Sequence, residues 1–218
     1  FPETAMPFSF NEHNDGTKTV SKFATKNNVT IITGICTYKD EKLFNSAVAF
    51  YPDGNFSDPY SKRILVPFGE KILFYDTLLK IMPDVFGEMS TFTEGTSPLP
   101  IETEIGKIGV VICYESIYPR IARSTVRNDA EIISIISNDS WFGKSNAMYQ
   151  HHNHAILRAV ENNRYVLRVS STGVTSVISP TGQITDYAEP FKEETLKAYV
   201  TTIKKRSLYS IIGDIIII

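Results

Sequence analysis

The sequence predicts an α/β fold with mixed sheets, and three observations carry that prediction. Runs of β-branched apolar residues, such as Ile108-Gly109-Val110-Val111-Ile112, read as strands buried on both faces. Segments with helical spacing of apolar residues lie between such runs. Turn signals such as Pro52-Asp53-Gly54 and Gly106-Lys107 join neighbouring runs directly, so hairpins mix with crossovers and the sheets cannot be purely parallel.

Taken in order, residues 16–28 suit a helix with Val20, Phe23 and Ala24 on one face. Residues 29–38 and 45–51 read as strands, and residues 60–67 as an extended segment ending at Phe68-Gly69-Glu70. A long irregular stretch follows over residues 71–100. Residues 101–105 and 108–113 form a hairpin, 118–128 a helix and 131–137 a strand. Asn138-Asp139-Ser140-Trp141-Phe142-Gly143 is a loop, and residues 147–164 form a helix with Ile156, Leu157 and Val160 on one side. Strands over 165–170, 175–179 and 196–203 complete the set, with Pro180-Thr181-Gly182 as a turn. No repeat or low-complexity linker divides the chain, so residues 1–210 read as one domain.

A chain of 218 residues can bury a substantial core. With 22 basic against 24 acidic residues, no basic excess is available for phosphate contacts, which argues against nucleic acid as a partner. Two cysteines, Cys36 and Cys113, cannot form a disulfide framework, and Cys36 within an apolar strand reads as a buried small residue. Residues 211–218 are apolar up to four consecutive isoleucines. They are too short to span a bilayer, which needs about 20 residues. They read as the start of a longer, truncated hydrophobic segment of transmembrane character.

Three residues suggest chemistry. Cys113 closes the apolar run at residues 106–112, where α/β proteins tend to place their sites. A thiol with an ordinary pKa near 8.5 is mostly protonated at neutral pH and needs a base or a cation to act as a nucleophile. Glu3 offers a carboxylate to take the proton, and Lys62 a cation for the thiolate and for a developing oxyanion. Singly, each has a plainer role: Glu3 a solvated end residue, Lys62 an edge-strand charge, Cys113 a packed thiol. Gln150-His151-His152-Asn153-His154 sets His151 and His154 three apart, but no second ligand cluster supports a metal, and no metal or other cofactor is expected. Arg158 and Glu161 are spaced to pair on a helix surface.

Pro2-Glu3-Thr4-Ala5, Lys62, Leu65-Val66-Pro67-Phe68-Gly69-Glu70, Cys113-Tyr114-Glu115, Asn138-Asp139-Ser140-Trp141-Phe142-Gly143 and Gln150-His151 leading into Arg158-Ala159-Val160-Glu161 resemble the nitrilase, or carbon-nitrogen hydrolase, superfamily. Within it they are similar to the periplasmic catalytic domain of bacterial apolipoprotein N-acyltransferases. The resemblance implies a nitrilase-like four-layer αββα sandwich. It also implies a general base at Glu3, an oxyanion-stabilising Lys62 and a nucleophilic Cys113, with Glu70, Tyr114 and Glu115 supporting them. Trp141, in a polar loop after a strand, reads as part of the active-site rim. The implied reaction takes an acyl chain from a phospholipid as a Cys113 thioester and passes it to the N-terminal amine of a diacylated apolipoprotein. The implied location is the periplasmic side of the bacterial inner membrane. Phe1 stands where the family more often has Trp, which keeps an aromatic ring at that position.

A soluble amidase would use the same three residues and let water resolve the thioester. The apolar stretch over residues 71–92, including Phe74 and Leu78, separates the two readings if it forms a lip at a membrane surface. It does not separate them if it packs on the domain.

Overall fold

Alternate residues along the central strands point into two different cores, and this gives the molecule its layers. The computed structural model describes residues 1–71 and 91–216. The first sheet runs β1 (Ser9–Phe10), β2 (Ile31–Lys39), β3 (Lys42–Phe50) and β4 (Tyr60–Ser61), with β1 parallel to β2 and the other pairs antiparallel. The second has the order β10 (Ile184–Ala188), β9 (Thr175–Ile178), β8 (Val166–Ser170), β7 (Ile132–Ser137), β6 (Gly106–Ile112) and β5 (Ile101–Thr103). Its central strands β6, β7 and β8 are parallel and its flanks antiparallel. Both sheets are mixed, as the hairpin signals require.

In β3, Ala47 and Ala49 pack with Tyr60, Val110, Ile112 and Ile136 between the two sheets. Val48 and Phe50, one residue out of phase, pack against helix α1 (Asp15–Asn27). In the second sheet Val111, Ile133 and Ile135 face helices α2 (Pro119–Arg127) and α3 (Ala147–Asn162). The order is therefore helix, sheet, sheet, helices. Strands with a core on either face show no polar alternation, which is why they read as continuous apolar runs.

Three expectations need correction. Residues 196–203 form no strand, and the last strand is β10, which pairs antiparallel with β9 across the Pro180-Thr181-Gly182 turn. Its sequence, Ile184-Thr185-Asp186-Tyr187-Ala188, carries polar residues because it is an edge strand with an irregular register. Phe23 is 58% exposed, since only Val20 and Ala24 of its proposed face reach the core. The larger reversal is α3. Leu157 and Val160 are half exposed, whereas His151, His152, Ala155, Arg158, Ala159 and Asn162 are buried. The inner face of α3 is partly polar because it packs on a polar turn, described below. The apolar stretch at residues 71–92, including Phe74 and Leu78, lies almost wholly outside the described residues. Among the described residues no helix is long and apolar enough to cross a membrane, and Leu208–Ile212 forms only a short helix α4.

His152 tethers α3 to the sheet through Nε2 and Ser176 Oγ, 2.8 Å apart. Burial, with Arg168 nearby, pushes its pKa down to about 4. A histidine whose folded pKa is depressed stabilises the fold fully above its unfolded value near 6.5, and that stability is lost as pH falls toward 4. The wild-type protein should therefore lose about 3 kcal/mol across this window, and His152→Gln should flatten the loss in denaturant melts.

Candidate active site

Cys113 follows β6 at its C-terminal end and begins a 3-10 turn, Cys113–Ile117. Its φ of 51° lies in the left-handed region, a conformation that costs a non-glycine residue of order 1–3 kcal/mol and persists only where the surroundings impose it. The parallel register that sets Ile112 beside Ile136 brings Ser137, at the end of β7, next to Cys113.

Lys62 follows β4, and its backbone N–H donates to Asn45 O on β3 at 2.8 Å. This pairing turns its side chain into the space between the sheets, where it is 1% exposed. Glu3 arrives from a segment without regular structure, not from a strand end. Phe1 N donates to Ile32 O, Gly34 N to Pro2 O and Met6 N to Gly34 O, so residues 1–6 lie along β2. Gly34 makes that approach possible: a Cβ there would stand 2.5 Å from Pro2 O and 2.6 Å from Glu3 Cα. Gly34→Ala is expected to displace Glu3 and cut turnover at least about tenfold, a change read by steady-state kinetics beside an unfolding curve.

The side chains meet. Lys62 Nζ donates to Glu3 Oε1 at 3.0 Å and to Glu70 Oε1 at 2.9 Å, and lies 2.8 Å from Glu70 Oε2. The Cys113 thiol sits under the influence of the Glu3 carboxylate, the Lys62 cation and Ser137. Burial and the Glu3 charge push the thiol up to about 12, and Lys62 and Ser137 offset only part of that. The resting thiol is therefore protonated at neutral pH. Burial acts against the charge on Lys62, but Glu3, Cys113 and Glu70 together outweigh it and raise its pKa. One buried cation thus faces two carboxylates and one thiol.

Glu115, fully buried, ties the pieces together from behind. Its Oε1 accepts from Arg63 N at 2.6 Å and Ile64 N at 3.3 Å, while Oε2 accepts from Ile112 N at 2.8 Å and Tyr60 Oη at 3.0 Å. These groups adjoin Lys62 on one side and Cys113 on the other. Burial raises the Glu115 pKa against the pull of these donors. Tyr114, partly buried, has its hydroxyl 3.0 Å from that of Tyr118. Trp141 projects from the turn Asp139–Phe142, 80% exposed. The preceding residue, Asn138, donates its backbone N–H to Glu3 Oε2 at 2.9 Å. The same loop thus contributes a buried contact to the cluster and, three residues on, an exposed indole.

Two groups escaped the sequence reading. Asn45 donates from one Nδ2 to Glu3 Oε1 at 2.7 Å and to Glu70 Oε1 at 2.8 Å, clamping the two carboxylates on either side of Lys62. An asparagine beside Ser-Ala-Val-Ala-Phe, in a buried strand, is the signal that marked it. The second is a network behind the cysteine. Asp139 Oδ1 accepts from Ser137 Oγ at 2.6 Å and from His151 Nδ1 at 2.9 Å, and Oδ2 accepts from Arg168 at 2.5 Å. Burial opposes the Asp139 charge, but His151 and Arg168 hold its carboxyl well below the usual range. Cys113, Asp139 and His151 present ligand atoms within 4.8 Å of one another. Arg168 already neutralises the carboxylate, so the set is better suited to hydrogen bonding than to holding a cation. Arg158 does pair with Glu161, but it is buried and not on the helix surface as its spacing suggested.

Comparison with known proteins places the chain in a family. The chain is 32% identical over 99% of its length to an apolipoprotein N-acyltransferase of Geobacter metallireducens, of which it covers 42%. It is 31% identical over 98% of its length to one of Shewanella oneidensis, covering 44% of that protein. The chain thus spans less than half the length of these curated relatives. Nit3 of Saccharomyces cerevisiae, a member of branch 10 of the nitrilase superfamily, superposes with a TM-score of 0.62 at 25% identity, over 81% of this chain and 62% of that one. A carbon-nitrogen hydrolase from Helicobacter pylori G27 superposes with a TM-score of 0.64 at 21% identity, over 79% of this chain and 62% of that one, a likeness of fold alone. The carbon-nitrogen hydrolase family model matches residues 1–206, and the chain belongs to that family.

Proposed function

We propose that the chain is the catalytic domain of an apolipoprotein N-acyltransferase, with residues 1–210 as the catalytic unit. The observation that carries the reading is the buried Cys113 thiol beside the buried Lys62–Glu3 ion pair. The relatives' names supply the substrate class. In the first half-reaction Sγ attacks the ester carbonyl of a phospholipid while its proton passes to Glu3. Lys62 faces the oxyanion that forms as the carbonyl becomes tetrahedral. Collapse breaks the acyl C–O bond, and the lysophospholipid alkoxide leaves with the proton from Glu3. In the second, the N-terminal amine of the diacylglyceryl-cysteine attacks the thioester and gives a proton to Glu3; the C–S bond breaks, and the leaving thiolate takes that proton to restore the thiol.

The proton passes from one member of the cluster to another, so the cluster keeps the same total charge when the thiolate forms. That suits a buried site, where an uncompensated charge is costly. Glu70 and Asn45 hold Lys62 and Glu3 in place throughout. The activity belongs on the periplasmic face of the inner membrane, where both lipid substrates would reach the domain.

The test supplies phospholipid in mixed micelles together with a diacylated lipopeptide. Triacylated peptide and lysophospholipid in equal amounts are expected. Free fatty acid in place of acylated peptide, or turnover only of small amides, would instead mean a hydrolase of the amidase kind.

A further inference from the structure

The inner face of α3 carries two polar side chains that grip the turn holding Cys113. His151 Nε2 lies 3.1 Å from Cys113 O and 2.9 Å from Ser116 Oγ. Seven residues on, Arg158 Nη1 donates to Ser116 O at 2.8 Å. The far side of the His151 ring is fixed as well. Nδ1 is 2.9 Å from Asp139 Oδ1, and an ionised carboxylate only accepts, so Nδ1 carries a proton. Nε2 then accepts the Ser116 hydroxyl in the neutral ring, or donates to the Cys113 carbonyl in the protonated one. The protonated ring, the form that pairs with the Asp139 carboxylate, is the one that holds the Cys113 carbonyl.

The consequence lies across the peptide bond. A trans peptide is planar, with its C=O and N–H pointing in opposite directions, so fixing the Cys113 carbonyl fixes the direction of Tyr114 N–H. That N–H is among the first amides of the 3-10 turn, which have no acceptor within it. We propose that His151 is a positioning residue: its grip on the Cys113–Tyr114 peptide aims Tyr114 N–H at the oxyanion, as a second donor beside Lys62. This rests on the acyl-transfer reading above, because only an acyl acceptor thiol generates that oxyanion.

Two chemistries separate this role from general support of the fold. A p-nitrophenyl fatty ester acylates the thiol through a tetrahedral oxyanion and releases p-nitrophenolate. Iodoacetamide alkylates the same thiol by displacing iodide, with no oxyanion. His151→Asn keeps a group in reach of Asp139 but withdraws the contact at Nε2, whereas His151→Gln extends an amide toward it. Acylation of His151→Asn is expected to fall roughly tenfold to a hundredfold, while alkylation stays within about threefold of wild type. His151→Gln should recover a large part of the acylation rate. Parallel loss of acylation and alkylation would reduce His151 to structural support, and unchanged acylation in His151→Asn would overturn the proposal outright. Wild-type protein that alkylates but never forms the thioester would instead sink the acyl-transfer reading itself.

Discussion

Lys62→Met should lose acyl transfer by a factor of about 10³ or more, and its stability deficit against wild type should be smaller near pH 5 than near pH 8. The catalytic loss follows from removing the cation that, in the proposed reaction, faces both the thiol and the developing oxyanion. The stability change follows from what is left behind. Glu3 and Glu70 keep only neutral donors, a shared Asn45 nitrogen at 2.7 and 2.8 Å and the backbone N–H groups of Asn138 and Val66, with no positive charge between them. Breaking a buried ion pair by deleting one partner costs about 3–5 kcal/mol. One carboxyl can relieve that cost by keeping its proton, so its folded pKa rises above the unfolded value near 4.3. A raised folded pKa gives stability that is full below the unfolded value and is lost as pH rises through the folded one. Urea melts across the pH range would show the effect as a slope in the variant that the wild type lacks. A variant with wild-type stability at every pH would mean that Glu3 and Glu70 do not share Lys62.

Glu115→Ala should be the most destabilising single change in the site. It leaves Arg63 N, Ile64 N, Ile112 N and the Tyr60 hydroxyl without their acceptor, in a region closed to water. At about 1–3 kcal/mol for each orphaned buried group, the loss should reach at least about 4 kcal/mol. Glu115→Gln keeps one acceptor oxygen and should cost less. Its amide hydrogens would oppose either Arg63 N and Ile64 N or Ile112 N, which separates Lys62 from Cys113 and lowers turnover before stability fails. Circular dichroism melts and turnover on the same samples would show whether the two effects part in this order.

The strands were legible because burial on both faces removes the polar alternation that would blur them, and residues 106–112 and 132–137 are the clearest cases. Glu3, Lys62 and Cys113 could be named from residue type and motif, but nothing in their spacing brings them together. That takes the β3–β4 pairing at Asn45, the β6–β7 register at Ser137 and the bare backbone of Gly34. The inner face of α3 was read the wrong way round for a physical reason. Apolar periodicity marks a core face only where the core is apolar, and this helix packs on the Cys113 turn through His151 and Arg158. Asn45 was hidden similarly, as one amide in a strand whose partners are charges from distant parts of the chain.

The most direct test of the account is to let the protein react with phospholipid in micelles without acceptor, then locate the acyl group by peptide mass spectrometry. The account predicts one acyl chain on the Cys113 peptide, released by neutral hydroxylamine as a thioester is, and absent in Glu3→Gln. An acyl group on Cys36, half-buried in β2 with its thiol pKa raised by burial and by Glu3, would contradict it, as would acyl transfer that survives Cys113→Ala.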